Sequence, residues 1–367
     1  MALPILVAFF LLSNEIPGEI ALEGVLGGWL YAGNASLSSL KFYQSSMGII
    51  DMQFSLYTIA LCMLGYTFVF GVPIISCFVG FNRFTAYSIA MIPVLLLYLF
   101  VFCRSSLPIS LFARPLPIFV LVLGLWSLYM AVKRKSKKSA FIFVLSIFGF
   151  ALLTKMLLNV RIYHYGFVLA MPAFMLAGVL FFDLIPRMLR DRNRQVGPYI
   201  AATSAALVLI VGLHLNITKN MYSRKIMPVS SERDFFYSGL RGHFVNEVVK
   251  WIDEYTTKDA TVFVLPEGVM INYLSRRINP VPVVNLMPPE LMMFGQGRLL
   301  NAVMSESPDY VVVVHKDTSE YGFDFFGKGY GNEIYDWIQV NYKPAKLVGS
   351  PPLRNDRFGI MVLRKVD

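Results

Sequence analysis

Four glycines, Gly322, Gly327, Gly329 and Gly331, run into a helix-forming segment at Asn332. Free backbone N–H groups at such a place can hold an anion. Their spacing fits neither the phosphate-loop nor the dinucleotide pattern, and Tyr321, Phe323, Phe325 and Phe326 are interleaved. That favours a turn-rich connection packed by aromatic rings. Glu267 follows a strand-like run and reads as a carboxylate at a helix N-terminus rather than a catalyst. The three cysteines, Cys62, Cys77 and Cys103, lie in apolar runs and read as small core hydrophobes, so no thiolate metal site is expected. The stretch Arg161–Pro172, RIYHYGFVLAMP, places an arginine, a histidine and two tyrosines at the head of an apolar run. Taken by themselves, Arg161 reads as an interfacial anchor and Tyr163 and Tyr165 as members of an aromatic belt.

The elements that must position these residues divide by solvent. With 56% apolar and 15% charged residues, the chain is too apolar for an ordinary soluble protein. The apolar runs concentrate before about Asn216, so the chain reads as a transmembrane domain over 1–217 and a soluble domain over 218–367. The net charge of +10 does not call for a nucleic-acid partner, because from Thr218 onward 18 Lys/Arg face 17 Asp/Glu. The basic excess sits in short loops beside the apolar runs, as membrane topology requires.

About seven spans are expected, at roughly 1–14, 54–80, 84–103, 115–132, 139–158, 163–186 and 199–217. The first starts at Met1 without a polar flank, so the chain is expected to begin within a longer membrane protein. Lys133, Arg134, Lys135, Lys137 and Lys138 fall on the same side as Arg83, Arg187, Arg190, Arg192 and Arg194. The opposite loops hold only Lys41, Arg104, Arg114 and Arg161, with Lys155 just inside the membrane. This bias puts the 14–53 loop and everything after Asn216 outside the cytoplasm, and the expected location is a bacterial inner membrane.

The soluble domain alternates patterns. Thr261–Pro266, Val281–Leu286 and Asp309–His315 read as buried strands, and Lys346–Gly349 with Phe358–Arg364 as a closing pair. Phe244–Tyr255, Glu267–Arg277, Pro289–Ser305 and Asn332–Tyr342 read as helices. The fold class is a multi-pass α-helical membrane bundle followed by a small three-layer α/β domain. Residues from about Ser231 to Asp367 are expected to fold independently and without metal, since they hold only His243 and His315 and no thiol.

The stretch RIYHYGFVLAMP, together with DATVFVLPEG, SPDYVVVVHKD, FGKGYG and YDWIQVNY, resembles the C-terminal half of polytopic GT-C-type glycosyltransferases. These are similar to the dolichyl-phosphate-mannose protein mannosyltransferases and the bacterial lipid-A aminoarabinose transferase. The resemblance implies transfer of a sugar from a polyprenyl-phosphate-sugar donor to a glycan, lipid or protein acceptor on the extracytoplasmic face, with membrane lipids as surroundings. It implies cationic and hydrogen-bonding partners for the leaving phosphate, and on that reading Arg161, His164, Tyr165 and Lys155 bind the lipid phosphate, with Arg104 and Arg114, which flank the preceding outer loop, as lesser candidates. It also implies a carboxylate general base in the first outer loop. Here that loop offers Glu15, Glu19, Glu23 and Asp51 without a paired signature. The catalytic carboxylate is therefore expected upstream of this chain, and no catalytic residue, cofactor or metal is assigned within it. A divalent metal has a place only at that absent site.

Two readings of other classes compete. A transporter or flippase for lipid-linked sugars would share the outer basic patch but should show inverted repeats and broken midplane helices. A non-catalytic membrane-anchored binding module would use the tail to recognise an envelope component.

Overall fold

The computed structural model describes residues 2–31, 34–79, 81–103, 109–163, 165–230 and 234–366. The chain divides into two compact units, Met1–Tyr43 with Ser223–Asp367, and Gln44–Tyr222. Contacts thus group the first 43 residues with the C-terminal ones.

The N-terminal arm carries α1 (Ala2–Ser13), α2 (Gly18–Leu30) and the single turn α3 (Ala35–Ser38). The helix α1 has 12 residues, so at ~1.5 Å per residue it covers about 18 Å, short of a ~30 Å hydrocarbon layer. Among the described residues, six stretches are long and apolar enough to cross one: Lys41–Phe78, Arg83–Phe100, Leu111–Arg134, Lys137–Met156, Gly166–Asp191 and Gly197–Tyr222. The protein is therefore built as a multi-pass membrane protein, with six helices of spanning length where seven were expected.

These spans contain α4 (Lys41–Met47), α5 (Met52–Phe78), α6 (Arg83–Cys103), α7 (Leu116–Arg134), α8 (Lys137–Leu153), α9 (Gly166–Val179), α10 (Ile185–Asp191) and α11 (Gly197–Tyr222). Polar side chains set their ends. Asp51 accepts the Phe54 N–H (3.1 Å) to start α5, and Ser136 accepts the Ser139 N–H (3.3 Å) to start α8. Lys135, at φ +48°, reverses the chain between α7 and α8. In lipid, helices associate through close packing rather than hydrophobic burial. Accordingly Gly124 of α7 lies so near α8 that a Cβ would come within 3.2 Å of Ser146 Cβ, and Gly149 of α8 lies so near α9 that its Cβ would come within 3.6 Å of the Ala173 nitrogen.

In the other unit, β1 (Met227–Val229) and β2 (Phe236–Ser238) form an antiparallel pair, followed by α12 (Gly242–Tyr255), β3 (Val262–Leu265) and α13 (Met270–Ser275). Then come α14 (Pro288–Phe294), α15 (Gln296–Glu306), β4 (Tyr310–Val314), the short β5 (Phe325–Phe326) and β6 (Gly329–Tyr330), and α16 (Asn332–Asn341). The chain closes with β7 (Tyr342–Gly349) and β8 (Gly359–Lys365). One four-stranded sheet has the order β3-β4-β8-β7, with β3 parallel to β4 and the other pairs antiparallel. Val262, Val264, Val312 and Ile360 bury one face against Val248 and Ile252 of α12. Phe263, Leu265, Val311 and Val313 bury the other against Val303 of α15 and Ile334 and Ile338 of α16. Helices on both faces explain why β3 and β4 are unbroken apolar runs rather than alternating ones.

Two expectations fail here for identifiable reasons. Val281–Leu286 is not a strand; only Asn285 makes an isolated bridge, to Glu267. Pro280 and Pro282 have no N–H to give a ladder, and Asn279 turns the segment by accepting the Val281 N–H (3.1 Å) and donating to the Val283 carbonyl (2.7 Å). The expected helix over Pro289–Ser305 is two helices, α14 and α15, broken at Gly295, whose φ of +79° leaves the helical region. The glycine-rich segment is a packed connection: a Cβ at Gly331 would lie 2.3 Å from the Phe326 ring, and one at Gly327 2.5 Å from the Tyr335 ring. Glu267 pairs with Lys316 (2.9 Å).

The N-terminal arm is tied to the same unit. Arg298 of α15 donates to both carboxylate oxygens of Glu23 on α2 (3.1 and 2.9 Å), and the Tyr31 hydroxyl donates to the same group (2.9 Å). The Arg298 guanidinium holds the Glu23 carboxyl below its ordinary pKa. Tyr31 also meets Phe294 edge-on, with ring centres 6.0 Å apart. At the end of β4, the buried His315 accepts the Leu353 N–H on Nδ1 (3.2 Å). Burial, then the cationic Arg241, pushes its pKa below the ordinary imidazole value.

Candidate functional site

Within Gln44–Tyr222, the segment between α8 and α9 folds back onto the end of α4. The Leu158 N–H donates to the Met47 carbonyl (3.1 Å), and Asn159 Nδ2 donates to the Ser45 carbonyl (2.9 Å). Gly48, at φ +79°, lets these backbones meet, since a Cβ there would lie 2.9 Å from the Leu158 carbonyl carbon.

Two arginines are fixed along this seam. Arg161 Nη2 donates to Ser46 Oγ (2.7 Å), and its guanidinium carbon lies 5.1 Å from the centre of the Tyr163 ring. Arg114 stands where a 3-10 turn, Ile109–Ala113, passes into α7. It is only 8% exposed. Its Nη2 donates to Asn159 Oδ1 (3.0 Å), and its guanidinium carbon is 5.7 Å from the centre of the Phe54 ring. Arg114 Nη1 is buried and has no hydrogen-bond partner among the described residues. A buried donor left unpaired costs roughly 1–3 kcal/mol, and more when it is charged. An anion would remove that cost, because charge-assisted hydrogen bonds are the strong ones.

An apolar groove of about 470 Å³ runs between α5, α9 and α11. Ala113 and Ile162, the chain neighbours of Arg114 and Arg161, line it together with Phe167 and His214. Thr203 and Phe181 also line it. Thr203 lies eleven residues before His214 on α11, about 16 Å along the helix axis; neither arginine lines the groove itself. A π-helical turn, Leu180–Leu184, supplies Phe181. The Phe181 carbonyl accepts the Tyr199 hydroxyl (3.0 Å), and the Phe181 ring stacks on Phe70 with centres 3.9 Å apart.

Of the residues expected to bind phosphate, Arg161 is at the seam. Tyr165 stands at the start of α9, 83% exposed, and Lys155 is exposed on a 3-10 turn, Thr154–Met156. Neither side chain bonds to Arg161 or Arg114 among the described residues. His164 and Arg104 lie outside the described residues. The structure thus joins Arg161 to Arg114, through Ser45, Ser46 and Asn159, rather than to Lys155 or Tyr165. Arg114 had a signal: it interrupts an apolar run, FARPLP, and a charge at membrane depth is costly without a role. Asn159, Ser45 and Ser46 had none.

Among the described residues, no three His, Cys, Asp or Glu side chains gather where they could hold a metal ion. No family model, no curated protein and no solved structure matches the chain.

Proposed function

We propose that this chain binds the donor of a membrane glycosyltransferase, a polyprenyl-phosphate sugar. In this reading the phosphate sits at Arg114 and Arg161 and the prenyl chain lies along the groove between α5, α9 and α11. The observation that carries the reading is Arg114 Nη1, a buried cationic donor without a partner among the described residues, next in the chain to Ala113, which lines an apolar groove. An amphiphile with one anionic head matches both features. The leaving phosphate of sugar transfer requires such donors, because negative charge grows on it in the transition state. The acceptor's general base stays unassigned: Glu23 is held by Arg298 and Tyr31, and Asp51 caps α5.

Purified protein in nanodiscs, titrated with polyprenyl-phosphate sugar, tests the proposal. Losing charge-assisted hydrogen bonds worth roughly 1.5–3 kcal/mol should make Arg161→Ala bind about ten- to a hundredfold more weakly. Arg161→Lys keeps the charge without the planar fork and should regain only part of that loss. Equal affinity of all three per folded molecule would make Arg161 a membrane anchor and remove it from the site.

The proposal includes a location, a bacterial inner membrane with the C-terminal unit outside the cytoplasm. The sidedness is supported by ten basic residues in the loops of one side against five on the other. In a variant lacking Cys62, Cys77 and Cys103, a membrane-impermeant thiol reagent on intact cells should label Glu320→Cys and spare Lys135→Cys. The reverse pattern would invert the topology.

A further inference from the structure

The pair β1–β2 belongs to no larger sheet. A two-stranded ribbon by itself is marginal in water, and this one is seated by β1 on the start of α12. Asn246 Nδ2 donates to the Pro228 carbonyl (2.7 Å), Asn246 Oδ1 accepts the Ser230 N–H (3.2 Å), and Val229 is buried. Gly242 allows the close approach, since a Cβ there would lie 2.6 Å from Val229 Cγ2. The outer strand is β2. Phe235, Phe236 and Tyr237 are exposed in succession, and Phe235 meets Tyr237 edge-on with ring centres 5.0 Å apart. Leu240, just beyond, is 69% exposed. Such a run on the surface of a unit with its own buried core marks a contact with something else.

Chain length indicates what covers it. Met227 follows Tyr222, the last residue of the spanning helix α11, by five residues, so β1 starts within about 18 Å of that helix end. The register sets Ser238 opposite Met227 and Tyr237 opposite Pro228. The end of β2 that carries Tyr237 and leads to Leu240 is therefore the end tethered nearest the span. In sequence, Arg224, Lys225, Arg233 and Arg241 flank the patch against only Glu232 and Asp234. Asp234 is already engaged, accepting from the Tyr273 hydroxyl (2.8 Å) and pairing with Arg276. Aromatic rings and a leucine with a basic rim settle at the boundary between bilayer and water, where anionic headgroups attract the cations.

We propose that the β1–β2 ribbon is a membrane-docking surface, in which Phe235, Phe236, Tyr237 and Leu240 enter the headgroup layer of an anionic bilayer and hold the C-terminal unit to it. The occupant of the patch is lipid rather than a second protein.

The test uses the full chain, with Cys62, Cys77 and Cys103 replaced, in nanodiscs of phosphatidylcholine and phosphatidylglycerol. An environment-sensitive fluorophore is attached at Tyr237→Cys, at Leu240→Cys or at Val340→Cys. Val340 is exposed on α16, which packs on the face of the four-stranded sheet opposite α12. At an insertion depth of ~5–10 Å, phospholipids with a shallow nitroxide should quench roughly half or more of the emission at the first two sites and little at the third. No quenching at the first two, or equal quenching at all three, overturns the proposal. So does shielding seen only in discs that hold two chains, which makes the occupant a second copy. Shielding without quenching in single-chain discs makes it another segment of this chain and overturns the proposal as well. The unmodified chain gives a check that needs no substitution. Hydrogen exchange over residues 235–241 should slow severalfold when phosphatidylglycerol is added to phosphatidylcholine discs, and recover in high salt. Exchange indifferent to lipid charge would overturn the docking on an anionic surface.

Discussion

Replacing Arg114 by methionine should weaken polyprenyl-phosphate binding at least tenfold while the unfolding midpoint of the ligand-free protein falls only slightly. The two effects have different physical origins. Among the described residues Arg114 is a buried charge that donates to Asn159 and has a bare Nη1. Removing the bare donor relieves roughly 1–3 kcal/mol. Against that stand the bond to Asn159, worth about 1.5–3 kcal/mol as a charged hydrogen bond, and about 0.5–1 kcal/mol for the contact with Phe54. Methionine fills similar volume with apolar atoms, so the contacts of the long side chain are largely kept and the net loss stays small. In the ligand complex, by contrast, the same substitution deletes a charge-assisted bond to phosphate. Binding titrations and thermal unfolding on one preparation separate the cases. A drop in midpoint with unchanged affinity per folded molecule would make Arg114 a structural residue of the seam.

Substituting Gly359 by alanine should destabilise the C-terminal unit by more than about 3 kcal/mol, above the usual range for single substitutions. A Cβ at Gly359 would lie 1.8 Å from the Ser350 carbonyl oxygen and 2.7 Å from its nitrogen. Both are backbone atoms, so no rotamer change relieves the clash. Gly359 opens β8, which is paired on one side with β4 and on the other with β7, and its carbonyl accepts the His315 N–H (3.0 Å). Moving it therefore strains two ladders at once. Gly297, inside α15 with open space around its missing Cβ, makes the matched contrast: Gly297→Ala should stabilise by about 0.4–1 kcal/mol. Thermal unfolding of the full chain in detergent reads both. A Gly359→Ala midpoint within error of the parent would mean that the β7–β8 end is far softer than its packing implies.

What could be read in advance follows from which forces leave a local trace. Membrane helices show in the sequence because length and apolarity decide partition residue by residue, and the six long ones fall near their expected positions. Strands such as TVFVLP and DYVVVVH were legible for the same reason, being buried on both faces. Val281–Leu286 has equal apolarity but two backbone donors missing around it, and composition weighs side chains more than N–H groups. The candidate site was half legible. Arg161 announced itself by its place at the head of a span. Its partner Ser46 is 115 residues away, and no periodicity encodes which loop a guanidinium will meet. The bare nitrogen of Arg114 is a property of packing alone.

The grouping of Met1–Tyr43 with Ser223–Asp367 has a consequence in time. On the ribosome the arm is made first, and the residues that hold it begin 180 positions after it ends (223 − 43). At roughly 5–20 residues per second, α2 waits on the order of ten seconds or more before α15 exists. During that interval Glu23 has no Arg298 and Tyr31 no Phe294, while every span is synthesised and inserted. The unit is therefore finished last, by capture of a waiting segment. A fragment beginning at Ser231 would emerge with nothing to capture, exposing the surface of α14 and α15 that the arm covers.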